Sequence, residues 1–340
     1  MRVHEAELEE ELTRITGTHF TPGAVEDIPL RFHEFAPADS APDLIAVDGS
    51  YSFLLNLASW WLAILTVGAL RYSFNGGYTK AAQRVNHRVV AVSTLEEYVA
   101  KQTEIHRHIF EFTQGSKDQH NEMVNEFRRW EEAKLSMQMA ADHDGMIVAV
   151  DGTLASFPKE YDLMKDVVRE CEQHGHLLVG VSKDSDLHAF GSVHRDEDVL
   201  RRRQGGLDGC AYVRAPETAE ARQKMLLYGD IYYARLHPNA PKWFRIDLGT
   251  MKDRPEEAFA RLAAYGRARH SLGYPLPLLE AHRLAVTVRH FQPIYEQAVL
   301  RTASHLGMDL REVVHGLTRV EGKRKSAFHE YLDRVTEDRR

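Results

Sequence analysis

Cysteine is almost absent from this chain. Cys171 and Cys210 are the only two, and their separation fits neither a zinc knuckle nor a CxxC redox pair. So low a count points to a reducing cytosol rather than a disulfide-framed exterior. Positive charge is not in excess either. Lys and Arg number 43 against 50 Asp and Glu, a net charge of −7, so no overall basic field advertises a nucleic-acid partner. No GxxxxGK[ST] occurs, which excludes a P-loop of the chain's own, and no GxSxG, HExxH or GxGxxG stands out. The start, MRVHEAELEEELTRI, is acidic and amphipathic and lacks the basic onset and apolar run of a signal peptide.

Long uncharged runs are scarce, with one exception. Residues 53–70 (FLLNLASWWLAILTVGAL) are about long enough to span a bilayer. Asn56, Ser59, Thr66 and Gly68 interrupt the run and no basic cluster flanks it. A pair of buried strands is the better reading, and no membrane partner is expected. What remains is ordinary globular composition, 43% apolar and 27% charged over 340 residues, enough for one large domain or two smaller ones.

Helical spacing of Leu8, Leu12 and Ile15 predicts a helix over residues 1–20, followed by a connector over 21–43. LIAVDGSYS reads as a short apolar strand closed by Asp-Gly-Ser. Further strands follow through residue 70 and over 85–92, with Phe74-Asn75-Gly76-Gly77 as a turn. Residues 94–141 are charged and helical, with Met123, Phe127, Trp130 and Met137 near one face. MIVAVDGTL then repeats the strand-Asp-Gly pattern. A helix over 161–174, the strand HLLVGVSK, one or two strands over 226–248 broken at His237-Pro238-Asn239, and helices over 254–271 and 277–291 complete the series. A charged helix closes the chain. Strands precede and alternate with helices, so the class is α/β, a mixed sheet flanked by helices with additional helices at both termini.

Two segments match over five positions, Ala46-Val47-Asp48-Gly49-Ser50 and Ala149-Val150-Asp151-Gly152-Thr153. One Asp-Gly merely ends a strand, because Asp tolerates tight turns and Gly supplies positive φ. Two copies after core strands place both carboxylates at one sheet edge, where they can converge on a cation. Magnesium and manganese prefer oxygen ligands, and a two-metal phosphodiester site calls for a third acid from a helix. Glu131 shares a ridge with Phe127 and Leu135, at i−4 and i+4, while Glu132 points further toward solvent. Asp247 in WFRIDL lies near a strand end and is a fourth candidate ligand. Lys183, just past HLLVGVS, is placed to meet a scissile phosphate. His282 lies on a helix two turns before His290, and Arg201-Arg202-Arg203 is a short basic run suited to a DNA backbone. A lone helical His is more often packed or exposed than catalytic, and short Arg runs are usually solvated loops. His106 and His108 project to opposite sides of their helix, against a shared metal.

In this order, AVDGSYS, a Glu-bearing helix, VAVDGTLAS, GVSKDS, WFRIDL and LGYPLPLLEAHRLA resemble the NurA nuclease family over roughly residues 40–300. The resemblance implies an RNase H-like fold, with the apolar run 53–70 as its second and third strands. It divides the chain into an N-terminal helix and connector (1–42), a nuclease domain (43–300) and a C-terminal charged helix (301–340). It further implies a homodimeric toroid around DNA and manganese-dependent cleavage of single- and double-stranded DNA, with magnesium as the alternative ion; the scarcity of cysteine places the chain in the cytoplasm. Both endonuclease and 5′-to-3′ exonuclease action are included, alongside a hexameric HerA translocase in DNA end resection. Asp48, Asp151 and Glu131 take the metal positions, with Lys183 and His282 completing the catalytic set; Asp247 stands where the family often has Glu. Two rivals use the same Asp-Gly pair or fold differently: an actin- or sugar-kinase-like ATPase, which needs a Gly-rich adenosine-binding stretch near 220–270, and a non-catalytic DNA clamp.

Overall fold

The computed structural model describes residues 9–11, 13–14, 30–56, 61–92, 119–141, 143–156, 163–185, 187–190, 195–216 and 226–316. His106, His108, most of the expected N-terminal helix and the chain after residue 316 lie outside them; residues 9–11, 13 and 14 are helical.

Strands β1 (His33–Phe35), β2 (Ser40–Asn56), β3 (Trp61–Asn75) and β4 (Tyr78–Val92) come first. Helix α1 (Gln119–Ala140) leads to β5 (Ile147–Asp151) and β6 (Ala155–Ser156), and α2 (Leu163–Gln173) to β7 (Leu177–Ser182). Then come α3 (Asp196–Arg203), β8 (Cys210–Arg214), β9 (Leu226–Leu227), β10 (Asp230–Arg235) and β11 (Phe244–Leu248). Helices α4 (Pro255–Ala264) and α5 (Leu276–Val286), a 3₁₀ turn over Thr287–Phe291, α6 (Gln292–His305) and α7 (Leu310–Gly316) end the described chain. Nine strands form one sheet in the order β1-β8-β10-β11-β7-β5-β2-β3-β4, and β6 pairs with β9 apart from it. Only β2–β5 and β5–β7 are parallel; the rest of the large sheet is antiparallel. The expected mixed sheet flanked by helices is therefore present.

Alternation along β2 splits the core into two layers. Leu44 and Ala46 face one way, with Ile147, Ala149, Val179 and Ile246, and are covered by Phe259 and Leu262 of α4 and Leu278 and Ala281 of α5. Ile45 and Val47 face the other way, with Val148, Val150 and Leu178, and are covered by Leu135 of α1 and Val167 and Cys171 of α2. Both cysteines are free and buried.

Several expectations change. The first strand does not stop at Asp48: β2 runs 17 residues, straight through Asp48-Gly49-Ser50 to Asn56. The described part of the apolar run 53–70 is the tail of β2 and much of β3, which pair with each other, so the expected pair of buried strands is present. No helix among the described residues is long and apolar enough to cross a membrane. The connector expected over 21–43 contains β1, which pairs with β8, and the start of β2. The Arg201–Arg203 run is the last turn of α3 rather than a loop.

Asp247 also departs from expectation. It pairs with Gly180, in the row of Val150 and Val47, whereas Asp151 is in the row of Val181 and Ile246. A one-residue offset in register sends a side chain to the opposite face, so Asp247 points away from the Asp48–Asp151 side. Arg245 Nε and Nη2 donate to its two oxygens at 2.7 and 3.0 Å, and the Leu154 amide donates to it at 3.0 Å. The carboxylate is 1% exposed, and burial pushes its pKa up while Arg245 pulls it back. It bolts the loop after Asp151 to the sheet. Asp247→Ala leaves Arg245 buried and unpaired, and urea unfolding will register a loss of about 3–5 kcal/mol; a loss under about 1 kcal/mol contradicts this structural role.

Candidate metal centre

Asp48 and Asp151 belong to neighbouring parallel strands. Val47 lies beside Val150, so the next residue on each strand, Asp48 and Asp151, falls in one row on the α5 side of the sheet. The two glycines that follow differ in use. Gly152 has φ +116°, a backbone that favours glycine, and it turns the chain off the end of β5. Gly49 is not among the positive-φ residues; it remains in the ladder opposite Val67. Its need is space. A Cβ there would lie 2.5 Å from Glu132 Oε1 and 3.0 Å from Arg128 Cγ.

That contact separates the two helix acids. Glu132, 4% exposed, is directed under Gly49, while Glu131 turns to the β4 edge, where Arg88 Nη1 holds it at 2.5 Å. Arg128, one turn earlier, donates from Nη1 to Glu132 Oε1. Burial pushes the Glu132 pKa up to about 7, with Arg128 opposing and Asp48 reinforcing the rise. The ridge of Phe127 and Leu135 points Glu131 toward the core and leaves Glu132 toward solvent, but α1 crosses the sheet so that both acids are buried, on opposite flanks.

Helix α5 supplies the histidine. Leu284 packs so closely on Gly68, the β3 partner of Asp48, that a Cβ at Gly68 would come within 3.0 Å of it. This seats the helix directly over the row and brings His282 Nδ1 to 2.7 Å from Asp48 Oδ2. Ligand atoms of Asp48, Asp151 and His282 all lie within 4.8 Å of one another. Lys183, the residue after β7, places Nζ 2.5 Å from Asp151 Oδ2. Tyr274 Oη donates to Asp151 Oδ1 at 3.3 Å, and Lys183 Nζ stands 5.7 Å from the Tyr274 ring centre. The Gly49 amide donates to Asp48 Oδ1 at 2.8 Å.

Of the residues named from sequence, the fold thus gathers Asp48, Asp151, Lys183 and His282. Glu131 and Asp247 lie elsewhere. Arg201 is paired with Asp198 at 2.9 Å on α3, whose buried side packs with Tyr233 of β10, three strands from β5. Tyr274 is an addition, while Glu132 and Arg128 pack beneath Gly49 on the α1 side of the sheet. Tyr274 lies eight residues before His282, ahead of Pro275, and nothing short of the folded helix marks it as reaching Asp151.

Burial raises the pKa of Asp48, and Asp151 raises it further; His282 and Lys183 oppose both. Tyr274 is likewise raised, by burial and then by Asp151. Two carboxylates pressed together in a mostly closed row repel each other, and a cation relieves that repulsion. Carboxylate oxygens with one imidazole are a donor set that magnesium or manganese accepts. The residues present therefore fit a divalent ion, held by Asp48 and Asp151 with His282 beside them.

No protein-family model and no curated protein sequence matches the chain. Solved structures do. The NurA nuclease from Sulfolobus solfataricus superposes with a TM-score of 0.56 at 13% identity, covering 88% of this chain and 98% of the other. A second NurA crystal structure gives 0.50 at 10% identity, covering 83% and 93%. At such identities the likeness establishes a NurA-like fold.

Glu132 holds its proton in the folded chain up to about 7, against an ordinary value of 4.5. A raised acid stabilises the fold while both states are protonated, and that stability falls as pH climbs from 4.5 to 7. In chelator, urea titrations will show Glu132→Gln gaining stability relative to the parent chain across that window. A difference that stays constant with pH removes Glu132 as a buried neutral acid.

Proposed function

We propose that this chain is a divalent-metal-dependent nuclease that hydrolyses DNA phosphodiester bonds. One observation carries the reading: Asp48, Asp151 and His282 present their ligand atoms within 4.8 Å of one another, on a fold like that of the NurA nuclease structures. The β4-β3-β2-β5-β7 stretch, three antiparallel strands continued by two parallel ones, supports the RNase H-like description of the sheet.

Asp48 and Asp151 would hold a divalent ion, which when bound would supply Lewis acidity toward a phosphodiester; the Gly49 amide fixes the rotamer of Asp48. His282, 42% exposed in its side chain, stands at the open side of the row, where an imidazole can take or return a proton. Lys183 neutralises part of Asp151 and offers its charge to an incoming phosphate. Tyr274 orients Asp151 from below.

Manganese as the working ion, endonuclease and 5′-to-3′ exonuclease action on single- and double-stranded DNA, a homodimeric ring, a cytoplasmic setting, and work with a HerA-type translocase in end resection complete the proposal. The ion, the activities, the ring and the translocase rest on the motif resemblance; the cytoplasmic setting rests on the scarcity of cysteine, and contact of Arg201, Arg202 and Arg203 with the DNA backbone on that basic run itself.

Purified chain with manganese and linear DNA will release nucleotides without ATP, and chelator will stop it. Asp48→Asn will abolish release while leaving the fold intact or slightly more stable, since it removes a repulsion. Full activity in that variant defeats the assignment. ATP hydrolysis without nucleotide release favours the kinase-like alternative, and neither activity favours a clamp.

A further inference from the structure

A second feature lies across the sheet from His282. Strand β4 is the outer edge of the large sheet, and its 15 residues carry Lys80, Arg84 and Arg88 but no acid. Register places Arg84 beside Ala69, Asn86 beside Val67 and Arg88 beside Leu65. Val67 and Ala69 pack with α1 and α2, and Leu65 with Phe127 of α1, so these three β4 side chains rise on the α1 face. A bulge at Arg71/Tyr72 interrupts the alternation before Lys80.

Between β4 and α1 lies a cleft of about 590 Å³ lined by Leu65, Val67, Val85, Asn86, His87, Arg88, Glu131 and Lys134. Its size is that of a ligand pocket. Glu131, the one acid in the wall, is already held by Arg88. Arg84 and Lys134 are exposed and make no ion pair among the described residues. In a chain of net charge −7, an acid-free strand facing a cleft with uncompensated cations is a local reversal of field.

We infer that this cleft binds a segment of single-stranded nucleic acid, its phosphates on Arg84, Arg88 and Lys134. The inference rests on the proposed nuclease reading and extends it: the segment held here is not the one at the metal centre, because the sheet separates the two. Binding energy from such a remote segment holds substrate while the reacting bond is positioned elsewhere. Phosphates suit these groups, since guanidinium and ammonium donors on an open edge meet a flexible chain of anions. The assignment also gives Glu131 a place: it holds Arg88 in the cleft wall while its neighbour Glu132 serves the other flank.

The test is equilibrium binding of a fluorescent thymidine 20-mer in chelator, followed by anisotropy across a salt series. The Arg84→Gln/Lys134→Gln double variant breaks no described ion pair. It will lower the slope of log affinity against log salt by roughly 1.4, about 0.7 for each phosphate no longer neutralised. Arg88→Gln will lower it as well. Lys165→Gln, which removes an exposed charge from α2, will leave the slope unchanged and so exclude an effect of net charge. Unchanged slopes in the cleft variants overturn the inference. So does a glutamate oligopeptide that competes as well as the oligonucleotide, or thymidine monophosphate that does so. Manganese-dependent cleavage by the parent chain is measured alongside. Altered slopes without cleavage retain the cleft and reject the nuclease; cleavage with unaltered slopes does the reverse.

Discussion

Two negative charges in one row of a buried sheet are the constraint around which this molecule is arranged. Parallel pairing of β2 and β5 places Asp48 beside Asp151, and burial leaves little water to screen them. Each nearby group answers that repulsion. His282 sits on Asp48 and Lys183 on Asp151, with the Gly49 amide and the Tyr274 hydroxyl as further donors. Gly68 lets α5 lie close enough to deliver His282. Burial and Asp151 still hold the Asp48 pKa raised against these neighbours, and that remaining demand for positive charge is the physical content of a cation site.

The paired Asp-Gly motifs were the most legible feature of the sequence, and their sameness concealed a difference. Gly152 is a turn residue in the ordinary sense, with positive φ at the end of β5. Gly49 is an absence of side chain in the middle of a strand, making room for Glu132. A hint was available: Tyr51 and Phe53 alternate with the residues between them after Gly49, as a continuing strand does. That alternation argues against a turn there.

Most of the strands, the class of fold and the acids Asp48 and Asp151 could be read from apolar runs and their terminators, but not β1, which lies in the stretch read as a connector, nor β8, where no strand was expected. The choice between Glu131 and Glu132 could not, because both lie beside an apolar ridge on α1 and only the helix's crossing of β2, β3 and β4 separates their destinations. Asp247 failed for a related reason. Its strand was recognisable, but its face depends on the register of β11 against β7, which no local pattern encodes. Tyr274 reaches Asp151 across 123 residues of sequence, an approach made by tertiary packing alone.

The most direct measurement is an anomalous-scattering map from crystals soaked in manganese. The account predicts a peak coordinated by both Asp48 and Asp151, adjacent to His282, and its disappearance in Asp48→Asn crystals. Crystals that take up manganese only at other acids, or that show nothing between Asp48 and Asp151, would contradict it.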